Sequence, residues 1–542
     1  MKQRFLLLEY AALAAVIVLA LAVRFIGLRW GLPNESHYFS YHPDEAPILI
    51  PVSRMLTEAE WNPHFFNYGT LYLHIVGVLA TSATGLGLVP AEQAWGAIHL
   101  IARLITALMG AATVLIVYLI ARRSMPVAGA MASAAFMAVL PMHALHSHFA
   151  TVDVPATFFV ALAALAMIHL SEEARLVHYV LAAICIGLAA ATKYSMVLAV
   201  VPLVFVHFMA KPARYHRAPP IGYLALGLIG SALTFLIVCP YVFSTSSGAL
   251  GLNPEFVRDV TFEMKHMREG GTFAFVNTGA GWGYHFLRTL PCGLGMPLML
   301  LSLAGIVVAA VAHRSAGMVS LLWCIPYFLV TGSGQEKFLR YAIPLSPFVA
   351  LLAAEMLSAM AGASGDRRRW GAAAAIGAAV FAPTLWYCFE NVAVLARTDA
   401  RDQAAQWLRP RLAGKTLGLV STPWYFTPPV APYNGGVRSE PAHNQWMREK
   451  ADFRIVVTGW NPDALKSGRP GFFVVSDAEY ADPVRLKMKG APDLMIALNE
   501  RYRENIAFEN RPGALILGRA KEFAPPDWLY AWPRIIIYSG WR

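Results

Sequence analysis

Eleven apolar runs, each close to the length a helix needs to cross a bilayer, dominate this chain and restrict it to the helical membrane class. A hydrocarbon core of about 30 Å takes roughly 20 apolar residues. Inside lipid every backbone polar group must be paired within its own segment, so such runs are helices. They lie near 7–29, 98–120, 127–146, 154–170, 178–191, 195–210, 220–240, 291–312, 317–331, 342–361 and 371–390. The composition agrees, with 57% hydrophobic and 14% charged residues. The first run follows Lys2 and Arg4 and shows no small-residue cleavage site, so it reads as a retained helix and not a signal peptide.

A net charge of +11 would suggest nucleic acid in a soluble chain. Here the cations sit in short loops between apolar runs, at Arg122-Arg123, Lys211/Arg214/Arg217, His313-Arg314 and Arg367-Arg368-Arg369. That is the positive-inside pattern, which places these loops and the N-terminus in the cytoplasm and excludes a nucleic-acid partner. Segments 30–97, 147–153, 241–290, 332–341 and 391–542 then face outside. Thr70 to Leu88 is apolar enough to span, but counting it would invert every later loop. It is therefore expected to be an interfacial or re-entrant helix. Cys185, Cys324 and Cys388 lie inside apolar runs as small hydrophobes. Cys239 and Cys292 flank one outer loop and could pair.

Texture changes after residue 391. Turn residues appear at Pro423, Pro428-Pro429, Asn434-Gly435-Gly436 and Pro525-Pro526. Strand-like runs at 416–420, 453–458, 472–475 and 514–517 alternate with helical patterns at 401–412 and 492–502. The expectation is a polytopic helical membrane domain over 1–390, with about eleven transmembrane helices plus interfacial ones. A C-terminal extracytoplasmic α/β domain follows over 391–542.

Ionisable groups beside or within a membrane are costly and mark function. Asp44-Glu45 follows His42-Pro43 in the first outer loop. Pro followed by two acids is also an ordinary helix start. A carboxylate at the mouth of a membrane cavity equally suits a general base. Asp153 could cap the next helix or, with His148, orient a substrate hydroxyl. The histidines at 143, 146 and 148 could hold a divalent cation, but their spacing matches no tight ligand motif, and no residue is assigned to a metal. Lys193, in an otherwise apolar turn, and Arg340, beside Glu336, Lys337 and Tyr341, could be interfacial anchors. They are also what a lipid-linked phosphate needs, a point charge and a forked donor. Arg103 is a third cation of this kind. All of these fall on one face of the predicted topology.

With these residues in place, the chain resembles the GT-C superfamily of integral-membrane glycosyltransferases, in the branch of the aminoarabinose transferases and protein O-mannosyltransferases. The similarity rests on Asp44-Glu45, on Asn67-Tyr68-Gly69-Thr70-Leu71-Tyr72, and on Ile101-Ala102-Arg103-Leu104-Ile105-Thr106-Ala107 opening a span that ends in Arg122-Arg123. It continues through Asp153, Ala191-Thr192-Lys193, Lys337-Phe338-Leu339-Arg340-Tyr341 and Thr398-Asp399-Ala400-Arg401. The chain has Tyr68-Gly69 where many relatives have paired prolines, and it lacks a WWD-type motif. The resemblance implies a polyprenyl-phosphate sugar donor, inversion at the anomeric carbon, and a glycan, lipid or protein acceptor at the outer face. It makes Asp44 the general base or its closest partner. Glu45 and Asp153 would position donor and acceptor, and Lys193 and Arg340 would neutralise the departing phosphate. Lys337, Arg103, His42, His148 and Tyr341 would line the donor site. A transporter or flippase of lipid-linked sugars is the alternative, although the internal repeats usual in transporters are absent from the sequence. A receptor or assembly scaffold built on the outer domain is a third class.

Overall fold

The computed structural model describes residues 2–542 apart from 35–36, 91–93, 211–218, 245–249, 363–365, 431–444, 446–448 and 513–523. The loop at 211–217, the turn at 434–436 and the strand expected at 514–517 fall outside the described residues. Among the described residues, seven helices are long and apolar enough to cross a membrane, or eight if one bent pair is counted as a span. The chain is a multi-pass membrane protein.

The sequence of helices follows the apolar runs. Helix α1 (Lys2–Phe25) leads through a loop to α2 (Glu45–Glu58) and α3 (Leu71–Gly85). Then come α4 (Ala94–Ser124), α5 (Val127–Ala138), α6 (Pro141–His146), α7 (Asp153–Glu173) and α8 (Leu176–Thr192). A 3-10 turn at Tyr194–Ala199 precedes α9 (Val200–Met209), and α10 is Ile221–Val238. The run expected as one span at 127–146 is broken between α5 and α6, because Pro141 cannot extend the α5 ladder. The run at 291–312 is likewise divided. Gly281–Leu294, which contains α12 (Gly281–Tyr284) and α13 (Leu290–Leu294), meets α14 (Met296–Ala312) at 116°, around Gly295 at φ +77°. A left-handed backbone suits glycine, and Pro297 starts the next helix. Helices α15 (Ser315–Gly332), α16 (Ser346–Ala361) and α17 (Arg367–Ala393) complete the bundle.

Antiparallel packing decides which residues share an end. Arg122 at the close of α4 binds Glu9 in α1 at 2.7 Å, and Arg123 binds Glu172 at the close of α7. Arg314 binds Glu355 in the second half of α16 at 3.1 Å. These basic residues therefore gather at one end of the bundle. Helices α7 and α8 are joined by a two-residue turn with Ala174 in the left-handed region. The start of α7 consequently lies beside the end of α8, at the other end. Helix α3 has 15 residues, too few for a span, and Gly69 before it abuts the Ala191 carbonyl at the end of α8. Helix α4 starts at that same end, where Trp95 stacks on Tyr38. The chain thus enters and leaves α3 on one side.

Past α17, α18 (Ala400–Leu412) opens the C-terminal domain with Asp399 as its N-cap. A short antiparallel hairpin, β1 (Phe243–Ser244) and β2 (Gly251–Leu252), lies far upstream, between α10 and α11 (Pro254–Glu269). The domain sheet contains β3 (Thr416–Leu419), β4 (Arg454–Val457), β5 (Phe472–Ser476), β6 (Tyr502–Glu509) and β7 (Arg534–Trp541) in the order β4-β3-β5-β7-β6. Strands β4, β3 and β5 run parallel, while β7 is antiparallel to β5 and β6. The three expected strands that lie in described residues are present, and β6 and β7 are additions. No disulfide joins Cys239 and Cys292.

Candidate active site

Two ion pairs stand at the end of the bundle opposite the basic loops. Arg340 Nη1 lies 3.2 Å from Asp44 Oδ2, and Lys193 Nζ lies 2.6 Å from Asp153 Oδ1. The Tyr341 ring joins them, 4.9 Å from Lys193 Nζ and 5.6 Å from the Arg340 guanidinium carbon. The local folds explain these positions. Asp153 is the first residue of α7, where the helix dipole favours a carboxylate. Lys193 is the extended residue that ends α8. Arg340 and Tyr341 stand on a 3-10 turn, Leu339–Leu345, that enters α16. Asp44 immediately precedes α2 and keeps 27% of its side chain exposed, more than Arg340, Lys193 or Asp153. Tyr194, next to Lys193, donates its hydroxyl to the Tyr68 carbonyl at 2.7 Å, tying this turn to the segment before α3.

Glu45 and Arg103 do not share this openness. Arg103 Nε and Nη2 each bind a Glu45 oxygen at 2.7 Å, and Nη1 binds the Leu28 and Trp30 carbonyls. Nη2 also donates to Ser40 Oγ at 3.3 Å. Glu45 further accepts from the Ser40 hydroxyl and from the Ala150 amide at 2.7 Å. The five N–H groups of a guanidinium and the roughly four acceptor positions of a carboxylate are thereby filled. Burial pushes the Glu45 carboxyl up, but Arg103 overrides it and holds it at about 2. The sequence reading put Glu45 in catalysis and Arg103 on the lipid phosphate. In the fold they form a buried clasp between the α1–α2 loop, α4 and the loop before α7.

Other expected residues divide in the same way. His148 has one ring nitrogen 2.9 Å from the Ala144 carbonyl and the other 2.9 Å from the Ile26 carbonyl, so it fastens its loop to the end of α1. Burial draws its pKa down to about 4. Lys337 turns away from the ion pairs, reaching Thr278 Oγ1 at 3.1 Å and the Phe275 carbonyl at 3.4 Å. His42 remains in the cluster. Its ring packs on Phe149 at 4.3 Å and Nδ1 accepts from the Asp44 amide at 3.3 Å, while Nε2 has no hydrogen-bond partner. Burial lowers its pKa to about 4, so the ring is neutral at pH 7.

His146, one of the three histidines that could hold a cation, was given no place in the site, and other residues went unnoticed in the sequence. His146 is fully buried with both ring nitrogens unpartnered. More consequentially, the C-terminal domain supplies part of the site. Asp527 accepts from the Leu339 and Arg340 amides, each at 2.9 Å, and so caps the turn that presents Arg340. Tyr530 meets His42 edge-on at 5.1 Å and packs against Tyr425 at 5.7 Å. Arg401 holds this arrangement. It forks onto Asp399 at 2.7 and 2.8 Å, donates to the Tyr425 and Tyr530 carbonyls, and lies 3.8 Å from the Tyr41 ring centre. Asp399 and Arg401 stood in the sequence as part of the Thr398–Arg401 motif, whereas for Asp527 the signal was Pro525-Pro526, which reads as a turn. Among the described residues no group of three or more His, Cys, Asp or Glu side chains is placed to hold a metal ion.

Residues 96–241, which carry Arg103, Asp153 and Lys193, match the family model described as dolichyl-phosphate-mannose-protein mannosyltransferase. The fold is similar to the apo oligosaccharyltransferase of Archaeoglobus fulgidus at TM-score 0.54 and 14% identity, over 92% of this chain and 73% of that one. It is similar to that organism's AglB in complex with an inhibitory peptide and a dolichol-phosphate, at TM-score 0.51 and 12% identity, over 91% and 72%. ArnT from Cupriavidus metallidurans bound to undecaprenyl phosphate is similar at TM-score 0.50 and 16% identity, over 97% of each chain. Among curated protein sequences, none matches. The chain thus shares its fold with these membrane proteins, and its central helices are similar to the dolichyl-phosphate-mannose-protein mannosyltransferase family.

Proposed function

We propose that the protein is a glycosyltransferase that moves a sugar from a polyprenyl-phosphate donor to an acceptor hydroxyl or amine at the outer membrane face, with inversion. The observation that carries this reading is the pairing of Arg340 with Asp44 and of Lys193 with Asp153 around one tyrosine ring. Two solved structures of this fold contain a polyprenyl phosphate, which supports the donor class.

In this mechanism the phosphate of the donor enters between Lys193 and Arg340 and competes with the carboxylates for both cations. Arg340 releases Asp44, which becomes free to accept a proton. The acceptor group gives its proton to Asp44 as its oxygen or nitrogen attacks the anomeric carbon. The bond from that carbon to the phosphate oxygen breaks on the opposite side, and polyprenyl phosphate departs. Negative charge grows on the phosphate during this step. Cations held in a poorly hydrated pocket stabilise it strongly because they need no reorganisation. Asp153 keeps Lys193 aimed, and the Glu45–Arg103 clasp holds the loop that carries Asp44. Under the positive-inside rule the basic end is cytoplasmic, which puts the site and the C-terminal domain outside.

The test is transfer from a radiolabelled polyprenyl-phosphate sugar by the purified protein. Lys193→Ala and Arg340→Ala are expected to weaken donor binding at least tenfold. Unchanged donor affinity in both variants would remove the phosphate clamp from the account.

A further inference from the structure

A second feature lies at the opposite, basic end of the bundle. A cavity of about 250 Å³ opens between the start of α5, the end of α16 and the first turns of α17. Its walls are small or apolar, among them Gly129, Ala132, Ala361, Ala374 and Gly377, with Trp370 at one side. One polar group is set in this wall. Ser358 is 6% exposed and its hydroxyl has no hydrogen-bond partner. It fits because residue 129 is glycine, since a Cβ there would lie 2.3 Å from Ser358 Oγ.

The charge beside this groove is unbalanced. Arg367, Arg368 and Arg369 occupy the first turn of α17, where the helix dipole already places partial positive charge and disfavours cations. That turn has no acidic residue. Asp366 precedes it as N-cap, accepting from the Arg368 amide at 2.9 Å and lying 4.0 Å from Arg369. Arg367 and Arg368 have no carboxylate partner among the described residues, and both are exposed. Three guanidinium groups at a helix N-terminus, one turn from an apolar groove in a membrane domain, match an amphiphile with an anionic head.

We infer that this groove binds one anionic phospholipid of the leaflet at the basic end. An acyl chain occupies the space between α5, α16 and α17, and the phosphate sits against Arg367 and Arg368. The Ser358 hydroxyl gains an acceptor in the ester region of the lipid. The site is remote from the ion pairs and does not depend on the transferase reading. The lipid would brace α17, the helix that carries the C-terminal domain, against α5 and α16.

Native mass spectrometry of the full chain, with dioleoyl phosphatidylglycerol or dioleoyl phosphatidylcholine added, tests this. The wild type is expected to retain one phosphatidylglycerol at least tenfold better than phosphatidylcholine. Arg367→Ala with Arg368→Ala should bring the two lipids level, and Ala374→Leu, which fills the groove from an exposed position, should reduce both. Melting in phosphatidylglycerol nanodiscs should exceed that in phosphatidylcholine by a few degrees for the wild type only. Equal retention by the wild type, or a preference that survives both variants, overturns the proposal. So does reproduction of the stabilisation by inorganic phosphate alone, which would make the site an anion site without a lipid.

Discussion

Asp44 and Glu45 are adjacent acids with opposite surroundings. Glu45 is enclosed and doubly forked by Arg103, whereas Asp44 meets a single Arg340 nitrogen and keeps access to solvent. Removing one partner of a buried pair leaves the other uncompensated. Glu45→Gln is therefore expected to destabilise the protein by about 3–5 kcal/mol, read as a lowered melting temperature in detergent. Asp44→Asn should leave melting nearly unchanged, because that carboxylate is partly hydrated. His42 makes a pH-dependent contribution. Burial holds its folded pKa at about 4, against an ordinary value of 6.5. Between these values the unfolded chain binds the additional proton, so stability falls as pH drops from 6.5 to 4. A His42→Gln variant should show a shallower fall across that window, measured by melting against pH. An equal slope in both proteins would mean that His42 is not held neutral. The acids, Lys193 and Arg340 were visible in the sequence because charge beside an apolar run is costly. The sequence could not separate Asp44 from Glu45, since the difference lies in Arg103, which is 58 residues away from Glu45 in the chain.

At the scale of elements, the site is made by helix ends. The turn between α7 and α8 brings Asp153 to Lys193, and Gly69 allows the segment before α3 to rest on the Ala191 carbonyl two residues from Lys193. A Cβ at residue 69 would lie 2.0 Å from that carbonyl oxygen. Gly69→Ala must push the two segments apart, at a cost of about 1–3 kcal/mol. It should also lower transfer more than it lowers thermal stability, as measured by initial rate and melting on one preparation. The positions of the membrane helices were legible because an apolar run of spanning length has few other solutions. Their breaks were less so. The bend at Gly295 lies inside a stretch that hydropathy reads as continuous, and the α5–α6 break depends on Pro141 having a turn available to it.

The C-terminal domain is part of the end of the molecule that carries the candidate site and not an appendage. Arg401 and Asp399 pin its first helix to the α1–α2 loop, and Asp527 caps the turn that presents Arg340. Strands β3, β4 and β5 could be read from their β-branched and aromatic residues, whereas β6 and β7 were not. The domain's docking could not be read, because a single aspartate after two prolines has no periodicity to reveal a contact 187 residues distant. Asp527→Ala leaves two buried amides without an acceptor, at about 1–3 kcal/mol for each unsatisfied group. It is expected to cut transfer at least tenfold, with the sheet itself intact by circular dichroism. The claim on which the whole account turns is that Asp44 takes the proton from the acceptor. Its most direct test is single-turnover transfer from a radiolabelled polyprenyl-phosphate sugar by Asp44→Asn, with donor binding measured on the same sample. Transfer is expected to be abolished while the variant melts as wild type does and still binds donor. Transfer at the wild-type rate would contradict it.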